Sequence, residues 1–294
     1  MRAEIRALME SLPKELPVEA VHAVDDPAGL QDALDRLEVR KPAKIVLVPL
    51  TLSPVSPEVE AVKSLLGLKD AARHPCKAGR SAACPPPLRT SVPVTAVPAL
   101  EDHPYLAAIL AERLRELSND SRRETVLLVA PDPGDSRGRK ALERAMRSAA
   151  SSLRRGAGWR AVRTALLRTD GTAMERARSV SGLRAAVGRA GSEGKALIVP
   201  FVLAWDEGPR LEADLKGLAF SLQAKTLMPH PLIADWVKEA ASMGARLGDV
   251  RRFPGTDPAR VDAIKALLRR GTAAPAAACP ADPSAAAEEP CVFR

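Results

Sequence analysis

An internal repeat constrains the fold of this chain more than any other feature of its sequence. Lys44 to Leu52 reads KIVLVPLTL, and Lys195 to Leu203 reads KALIVPFVL, with proline at the same place in both segments. Short, uninterrupted apolar runs of this kind are typical of strands buried in a parallel sheet. The repeat therefore predicts a duplicated α/β unit.

The match continues downstream of both strands. The tripeptide Leu66 to Leu68 corresponds to Lys216 to Leu218, and the pair His103-Pro104 corresponds to the pair His230-Pro231. Each His-Pro pair opens a helical pattern, because proline suits the first turn of a helix, where its missing N–H would have no partner. The shared order and spacing indicate two similar halves.

Each half alternates strands with helices, which favours a parallel sheet with helices on both faces. For the second half the pattern predicts strands over 125–130, 159–167 and 195–200, with helices over 137–155 and 174–190. For the first half it predicts a helix over 2–12, a strand over 18–24, a helix over 29–37 and a strand over 44–49.

The first half has no counterpart of the strand at 125–130. The interval from Ala130 to Pro200 is longer than the whole stretch that precedes Pro49. The strand that should open the first half would therefore lie upstream of Met1. The predicted fold class is α/β, with two tandem repeated domains, each a parallel sheet with helices on both faces, and with the first domain lacking its opening strand.

The predicted domain limits follow from the repeat and from composition. The first domain covers 1–120 and includes a basic, proline-rich loop at 69–90, and the second domain covers 121–250. A further helix is predicted within 251–270, and the Ala/Pro-rich tail at 271–294 has the composition of a disordered segment.

Composition narrows the range of partners. The chain of 294 residues carries a formal charge of +8, which favours an anionic ligand. Aromatic residues make up only 3%, too few for base-stacking platforms, so nucleic acid is not an expected partner. No apolar run reaches the roughly 18 residues of a membrane span, and the N-terminus lacks the apolar core of a secretory signal. We therefore expect a cytoplasmic protein without a membrane partner.

The succession of motifs resembles the class II chelatase family, specifically the two-domain sirohydrochlorin cobaltochelatase-like proteins of tetrapyrrole and cobalamin biosynthesis. The resemblance covers roughly residues 1–250. It is carried, in family order, by KIVLVPLTLSPVSPEVE, TSVPVTAVPALEDHPYLAAIL, RETVLLVAPDP, KALIVPFVLA and LMPHPLIADWV.

This resemblance implies two α/β domains facing a cleft in which a divalent metal, cobalt first among the candidates, is inserted into an anionic tetrapyrrole. It implies no nucleotide cofactor. The segment PDPGDSRG likewise lacks the glycine spacing and lysine of a nucleotide-binding loop. Arginines could hold the tetrapyrrole's many carboxylates in bidentate pairs.

The histidines that serve catalysis in the family are replaced in this chain. The family's His-Gly pair after the first strand of a half corresponds to Pro131 and Asp132, and a further histidine after the third strand corresponds to Val55 or Ser56. The catalytic residues are therefore unknown from sequence.

Acidic residues in loops after strands are candidate metal ligands, because carboxylates bind divalent cations and parallel sheets place ligands at the carboxyl ends of strands. Asp132 and Glu58 are the first candidates, and Asp206 and Glu207 lie in an equivalent loop. The alternative for such residues is a solvated or capping role, which Asp135 could have for the helix that follows it.

Basic residues and histidines complete the candidate set. Arg137, Arg139 and Lys140 could hold carboxylates beside a helix N-terminus, or could form a solvated helix face. His103 and His230 recur in the repeat and are weaker metal candidates, with the alternative that each marks the start of a helix. The other ionisable candidates are His22 and His74, which we interpret as packed or solvated groups, and the cysteines Cys76, Cys84, Cys279 and Cys291. We interpret the cysteines as ordinary thiols on mobile segments, with a metal or cluster role as the alternative.

Three hypotheses remain open at this point. The chain could be a divergent cobaltochelatase-like enzyme that binds a tetrapyrrole and inserts a metal. It could be a catalytically inactive carrier of tetrapyrrole or metal on the same fold. It could also be an interaction module that uses its basic surface.

Overall fold

From residue 27 onward, helices and strands alternate along the described chain as the repeat predicts. The computed structural model describes residues 2–21, 27–66, 88–204 and 208–249. In chain order its elements are α1 (Arg2–Ser11), α2 (Pro27–Val39), β1 (Ile45–Leu47), α3 (Pro57–Leu65), β2 (Val94–Ala96), α4 (Pro104–Leu117), β3 (Glu124–Pro131), α5 (Ser136–Ala157), β4 (Ala161–Leu167), α6 (Ala173–Glu193), β5 (Lys195–Pro200), α7 (Gly208–Asp214), β6 (Ser221–Leu222) and α8 (Pro231–Arg246).

The second half contains a parallel sheet of four strands in the order β4-β3-β5-β6. Successive residues of a strand point to opposite faces, so the continuous apolar run of β3 serves two cores. Val126 and Leu128 pack beneath α4, α5 and α8, whereas Leu127 and Val129 pack beneath α6 and α7. The predicted α/β fold with helices on both faces of a parallel sheet is confirmed.

The first half contains two parallel strands, β1 and β2, with Ile45 opposite Val94. By the repeat, β1 corresponds to β5 and β2 corresponds to β6. The pattern did not predict β2, because its three residues are flanked by Pro93 and Pro98 and give no periodic run.

The strand predicted over 18–24 is wrong for the part of it that the structure describes. Residues 17–21 form no strand, and residues 22–26 lie outside the described ranges. The reason is visible in the second half, where the counterpart strand β4 pairs only with β3. The described residues ahead of 18 form α1 and no strand, so none of them offers the partner that β3 is for β4.

The two halves exchange their last helices. Helix α4 belongs to the first half by sequence, yet its apolar side chains lie in the core of the second sheet, where Ile109 and Leu110 are fully buried with Val126 and Leu128. Arg113, also buried, donates hydrogen bonds to the backbone oxygens of Thr226 (3.3 Å) and Pro229 (3.2 Å) in the second half.

Helix α8 makes the reciprocal contact with the first sheet. A side-chain carbon at Gly244 would come within 2.3 Å of Val46 on β1, so glycine permits the helix to approach the strand. Lys44, just ahead of β1, donates hydrogen bonds to the backbone oxygens of Ala245 (2.8 Å) and Leu247 at the end of α8. The described residues thus form one compact unit, and the domain boundary at 120/121 stays a prediction.

Several predictions fall outside the described ranges. They are the loop at 69–90 except for 88–90, the helix within 251–270, the tail at 271–294, and the residues His22, His74, Cys76, Cys84, Cys279, Cys291, Asp206 and Glu207.

Candidate functional site

The loop that follows β3 lies at the carboxyl end of the central strand of the second sheet. Its Asp132 N–H donates to the backbone oxygen of Leu167 on β4, which extends the sheet pairing past Pro131. Gly134 has a φ of +84°, a conformation that favours glycine, and turns the chain toward α5. Asp135 then caps α5, accepting from the N–H groups of Arg137 (3.0 Å) and Gly138 (2.8 Å). The capping role predicted for Asp135 is confirmed.

Asp132 and Arg139 form a bidentate ion pair in this loop. Arg139 donates from Nε to Oδ1 (3.2 Å) and from Nη2 to Oδ2 (2.6 Å), and the Gly134 N–H donates to Oδ1 as well (3.0 Å). Burial of Asp132 raises its pKa, but the Gly134 N–H, the Arg139 guanidinium and the nearby Arg168 offset this, so that the net pKa is lowered. The carboxylate is therefore ionised and already occupied by a cation.

Arg137 and Lys140 lie in the first two turns of α5 and are exposed to solvent. Together with Arg139 they give the start of this helix a basic character, and the helix dipole adds to it. The three residues proposed from sequence to bind substrate thus lie on one helical segment. Their role in binding stays a prediction.

Arg168 was missed by the sequence analysis although it directly follows β4. It occupies the same place after β4 that Asp132 occupies after β3, at the same edge of the sheet, and position after a strand was the available signal. Its Nε donates to the backbone oxygen of Asp170 (2.9 Å), and its guanidinium lies against Gly134. The side chain is only 18% exposed.

The candidates after β1 take local structural roles. Ser56 begins α3, because its hydroxyl accepts from the N–H of Val59 (3.3 Å) and its backbone oxygen accepts from the N–H of Glu60 (3.0 Å). Val55 donates its N–H to the Ser53 hydroxyl (3.3 Å). Glu58 is exposed in the first turn of α3. No contact in the described part of the chain joins Glu58 to Asp132, and the metal role of both residues stays a prediction.

His103 and His230 cap the two exchanged helices. The Nδ1 atom of His103 accepts from the Tyr105 N–H (3.3 Å), and the Nδ1 atom of His230 accepts from the Leu232 N–H (3.1 Å). The alternative that both residues mark helix starts is confirmed, and it leaves only Nε2 of each ring for any metal. That atom of His230 already lies 3.2 Å from a carboxylate oxygen of Glu112 on α4.

A second polar contact between α4 and α8, in addition to that of His230 with Glu112, involves Tyr105, whose ring lies next to that of His103. Burial lowers the pKa of His103. The negative charges of Glu239 and Asp102 oppose this effect only in part, so the net pKa is lowered. Tyr105 donates its hydroxyl to Glu239 on α8 (2.5 Å). This hydrogen bond, burial and the negative charge of Glu239 raise the pKa of Tyr105 to about 12.

An open groove of about 390 Å³ runs between α5 and the edge strand β4. Its walls include Asp132 and Arg139 from the loop after β3 and Thr164, Ala165 and Leu166 from β4. The described residues contain no group of three or more His, Cys, Asp or Glu side chains arranged to hold a metal ion. Among the same residues, none of the helices combines the length and apolar character needed to span a bilayer.

The architecture is a class II chelatase-like α/β fold. Among solved structures, SirB from Bacillus subtilis, determined with Fe³⁺, is similar to this chain with a TM-score of 0.56 and 16% identity, covering 84% of this chain and 91% of SirB.

Two further structures are similar at lower TM-scores. The first is DR2241, a multi-domain protein from Deinococcus radiodurans with structural similarity to chelatases, at a TM-score of 0.43 and 21% identity over 80% of this chain and 48% of that one. The second is CbiX, the terminal enzyme of siroheme biosynthesis in denitrifying bacteria, at a TM-score of 0.43 and 19% identity over 76% of this chain and 95% of that one. No protein-family model and no curated protein matches the chain.

Proposed function

We propose that this chain is a chelatase-like protein that binds an anionic, polycarboxylate tetrapyrrole of the sirohydrochlorin type. The observation that carries the proposal is the basic segment formed by Arg137, Arg139 and Lys140 at the carboxyl end of the second sheet, on a fold shared with SirB. Open parallel sheets bind ligands at this end, and arginine suits carboxylates because its fork matches their two oxygens.

The second substrate in this proposal is a divalent metal, with cobalt as the first candidate, and no nucleotide takes part. The proposed ligands are the carboxylates of Asp132 and Glu58 and, more weakly, Nε2 of His103 and His230. Asp132 would have to leave Arg139 to bind a metal ion, since both of its oxygens accept from that guanidinium. The proposal includes a cytoplasmic location, which fractionation of cells expressing the tagged chain would test.

Binding without metal insertion is the second candidate function. Two observations favour it. The positions that correspond to the family's histidines are taken by Pro131, which ends β3, and by Val55 or Ser56, of which Ser56 caps α3. Neither proline nor a capping serine can accept a pyrrole proton as an imidazole does near neutral pH. The chain would then carry a tetrapyrrole rather than metallate it.

A visible absorption titration with sirohydrochlorin, followed by addition of cobalt(II), separates these functions. We expect a saturable spectral shift on binding. Metallation faster than in a protein-free control would identify an enzyme, and binding without faster metallation would identify a carrier. A spectrum that stays unchanged up to high protein concentration would contradict the proposal as a whole.

The basic segment is tested with matched double variants. Arg137→Gln with Lys140→Gln removes two charges from the start of α5, and we expect weaker tetrapyrrole binding. Arg178→Gln with Arg189→Gln removes the same charge from exposed positions of α6 and serves as the control. Equal weakening in both variants would mean that net charge alone, and not this segment, attracts the ligand.

A further inference from the structure

We infer that Arg168 forms a carboxylate-binding site at the carboxyl end of β4 and holds one acidic side arm of the bound macrocycle. This inference rests on the proposed tetrapyrrole binding and deepens it by assigning a specific contact. The class of ligand is a carboxylate carried on a flexible arm.

Two glycines leave room for the Arg168 guanidinium and, at Gly171, for the neighbouring Glu175 carboxylate. A side-chain carbon at Gly134 would come within 2.4 Å of Nη1, and one at Gly171 would come within 2.9 Å of Nε. Both glycines have positive φ values, +84° and +97°, which other residues rarely adopt. The loops after β3 and β4 therefore meet at this side chain and leave room for a planar cation between them.

The fork of Arg168 is unoccupied among the residues that the structure describes. Only Nε is used, donating to the backbone oxygen of Asp170 at 2.9 Å and lying 3.4 Å from its carboxylate. Nη1 and Nη2 donate to no acceptor in the described ranges. A guanidinium has five N–H donors, and those of Nη1 and Nη2 remain accessible to solvent, since neither atom is among the described buried atoms without a partner. With 18% of its side chain exposed, Arg168 is largely withdrawn yet still reachable.

Other arginines near the sheet differ from Arg168 in this respect. Arg139 donates from Nε and Nη2 to Asp132, and Arg176 donates to Asp214 (2.6 Å) and to the backbone oxygen of Arg168 (3.1 Å). These contacts belong to the fold, whereas the Nη atoms of Arg168 are left for a ligand. A bidentate carboxylate would satisfy both atoms at once.

The groove beside β4 provides space next to this site. Its wall contains Asp132, whose pKa is lowered in part by the charge of Arg168, and Leu166, two residues before Arg168. Arg168 does not line the groove, but Asp132 and Leu166 of its wall lie near this residue, so the proposal is that an acetate or propionate arm extends from the groove to the guanidinium. Asp132 is already paired with Arg139, so its charge is compensated and opposes such an arm less.

The test compares two porphyrins that differ in the number of their carboxylates, uroporphyrin with more and coproporphyrin with fewer. Affinity is measured by fluorescence quenching for the wild type, for Arg168→Gln and for the control Arg189→Gln, which removes an exposed charge from α6. We expect Arg168→Gln to weaken uroporphyrin binding about tenfold, since hydrogen bonds to charged groups are worth that much or more. Uroporphyrin carries acetate and propionate arms and coproporphyrin carries propionate arms but no acetate arms, so a loss confined to uroporphyrin would place an acetate arm on Arg168 and a loss for both would place a propionate arm there. The control should keep both affinities.

Each outcome decides a different point. If the wild type binds neither porphyrin nor sirohydrochlorin, the proposed function itself fails. If the wild type binds and Arg168→Gln binds both porphyrins as tightly as the wild type does, Arg168 is not a carboxylate site and only this inference is overturned. Arg168→Lys keeps the charge but loses the fork, and partial recovery of the porphyrin affinity that Arg168→Gln loses, in a protein with unchanged thermal unfolding, would support the inference.

Discussion

The two halves of the molecule carry the same four helices but differ in their strands. In the described residues the second half pairs four strands, whereas the first half pairs only β1 and β2. Helix α1 forms although no described strand adjoins it in the sequence. A helix satisfies most of its own backbone groups, and α1 packs on α8. A strand needs a neighbour, and the described residues 12–21 after α1 form no strand. In the described residues the helices of the two halves therefore correspond more closely than their strands do.

The largest difference between the halves should appear in their cores. Leu128→Ala removes a fully buried side chain from the central strand of the second sheet and should lower the free energy of unfolding by about 2–5 kcal/mol. Leu47→Ala in the first sheet removes a half-buried side chain, and we expect a loss of about 1 kcal/mol. Urea denaturation of both variants measures the difference, and equal losses would mean that the two sheets contribute alike.

The contacts of the two exchanged helices use cations that differ in burial, since Arg113 is buried and Lys44 is half-buried. Arg113→Met leaves two backbone oxygens of the second half without their buried donor, and it should cost about 1–3 kcal/mol. Lys44→Met removes the reciprocal contact at the exposed end of α8, and it should cost below about 1 kcal/mol. Chemical denaturation followed by circular dichroism compares them. A larger loss for Lys44→Met would show that the contact with the first sheet, and not that with the second, secures the exchange.

Sequence reasoning found the parts of this fold that have a strong period. The buried runs of β1, β3 and β5 and the amphipathic pattern of α5 were predicted close to their observed limits. It failed where an outcome depends on a partner elsewhere in the chain. The segment at 18–24 has the composition of a strand, but composition does not show whether a neighbouring strand is present to pair with it.

The candidate site was predictable to a similar extent. Asp132 was predicted because ligands bind after the strands of a parallel sheet. The same rule applies to Arg168, which was not among the predicted residues. The pairing of Asp132 with Arg139 spans seven residues across a turn, and only the geometry at Gly134 brings the two side chains together. The unoccupied fork of Arg168 depends on contacts between two loops, which no local pattern encodes.

The loop geometry at Gly134 gives the next prediction. Gly134→Ala would force a side chain into a left-handed conformation and against the Arg168 guanidinium, so we expect a loss of about 1 kcal/mol and weaker porphyrin binding. Gly156→Ala lies near the end of α5 with open space around it and should instead stabilise the protein by about 0.5–1 kcal/mol. Thermal unfolding and the porphyrin titration measure both effects. Unchanged stability and binding for Gly134→Ala would show that Arg168 does not depend on this glycine.

The smallest effect tests a difference between the two exchanged helices themselves. Tyr105 on α4 corresponds in the repeat to Leu232 on α8, so the hydrogen bond from Tyr105 to Glu239 has no counterpart in the other half. That bond and burial raise the pKa of Tyr105 to about 12. Because the folded pKa lies above the ordinary value of about 10, the bond's stabilising contribution is complete below pH 10 and is lost as the pH rises through 12.

Tyr105 is the only tyrosine in the chain, so ultraviolet absorption of the phenolate reports on this residue alone. Glu239→Gln removes the negative charge that opposes ionisation, and the absorption transition should move from about pH 12 toward about pH 10. Glu112→Gln changes the equivalent carboxylate on α4, which faces His230 instead, and it should leave the transition in place. A wild-type transition near pH 10 would mean that Tyr105 and Glu239 are not hydrogen-bonded in solution and that the contact between the two helices is more symmetric than the structure shows.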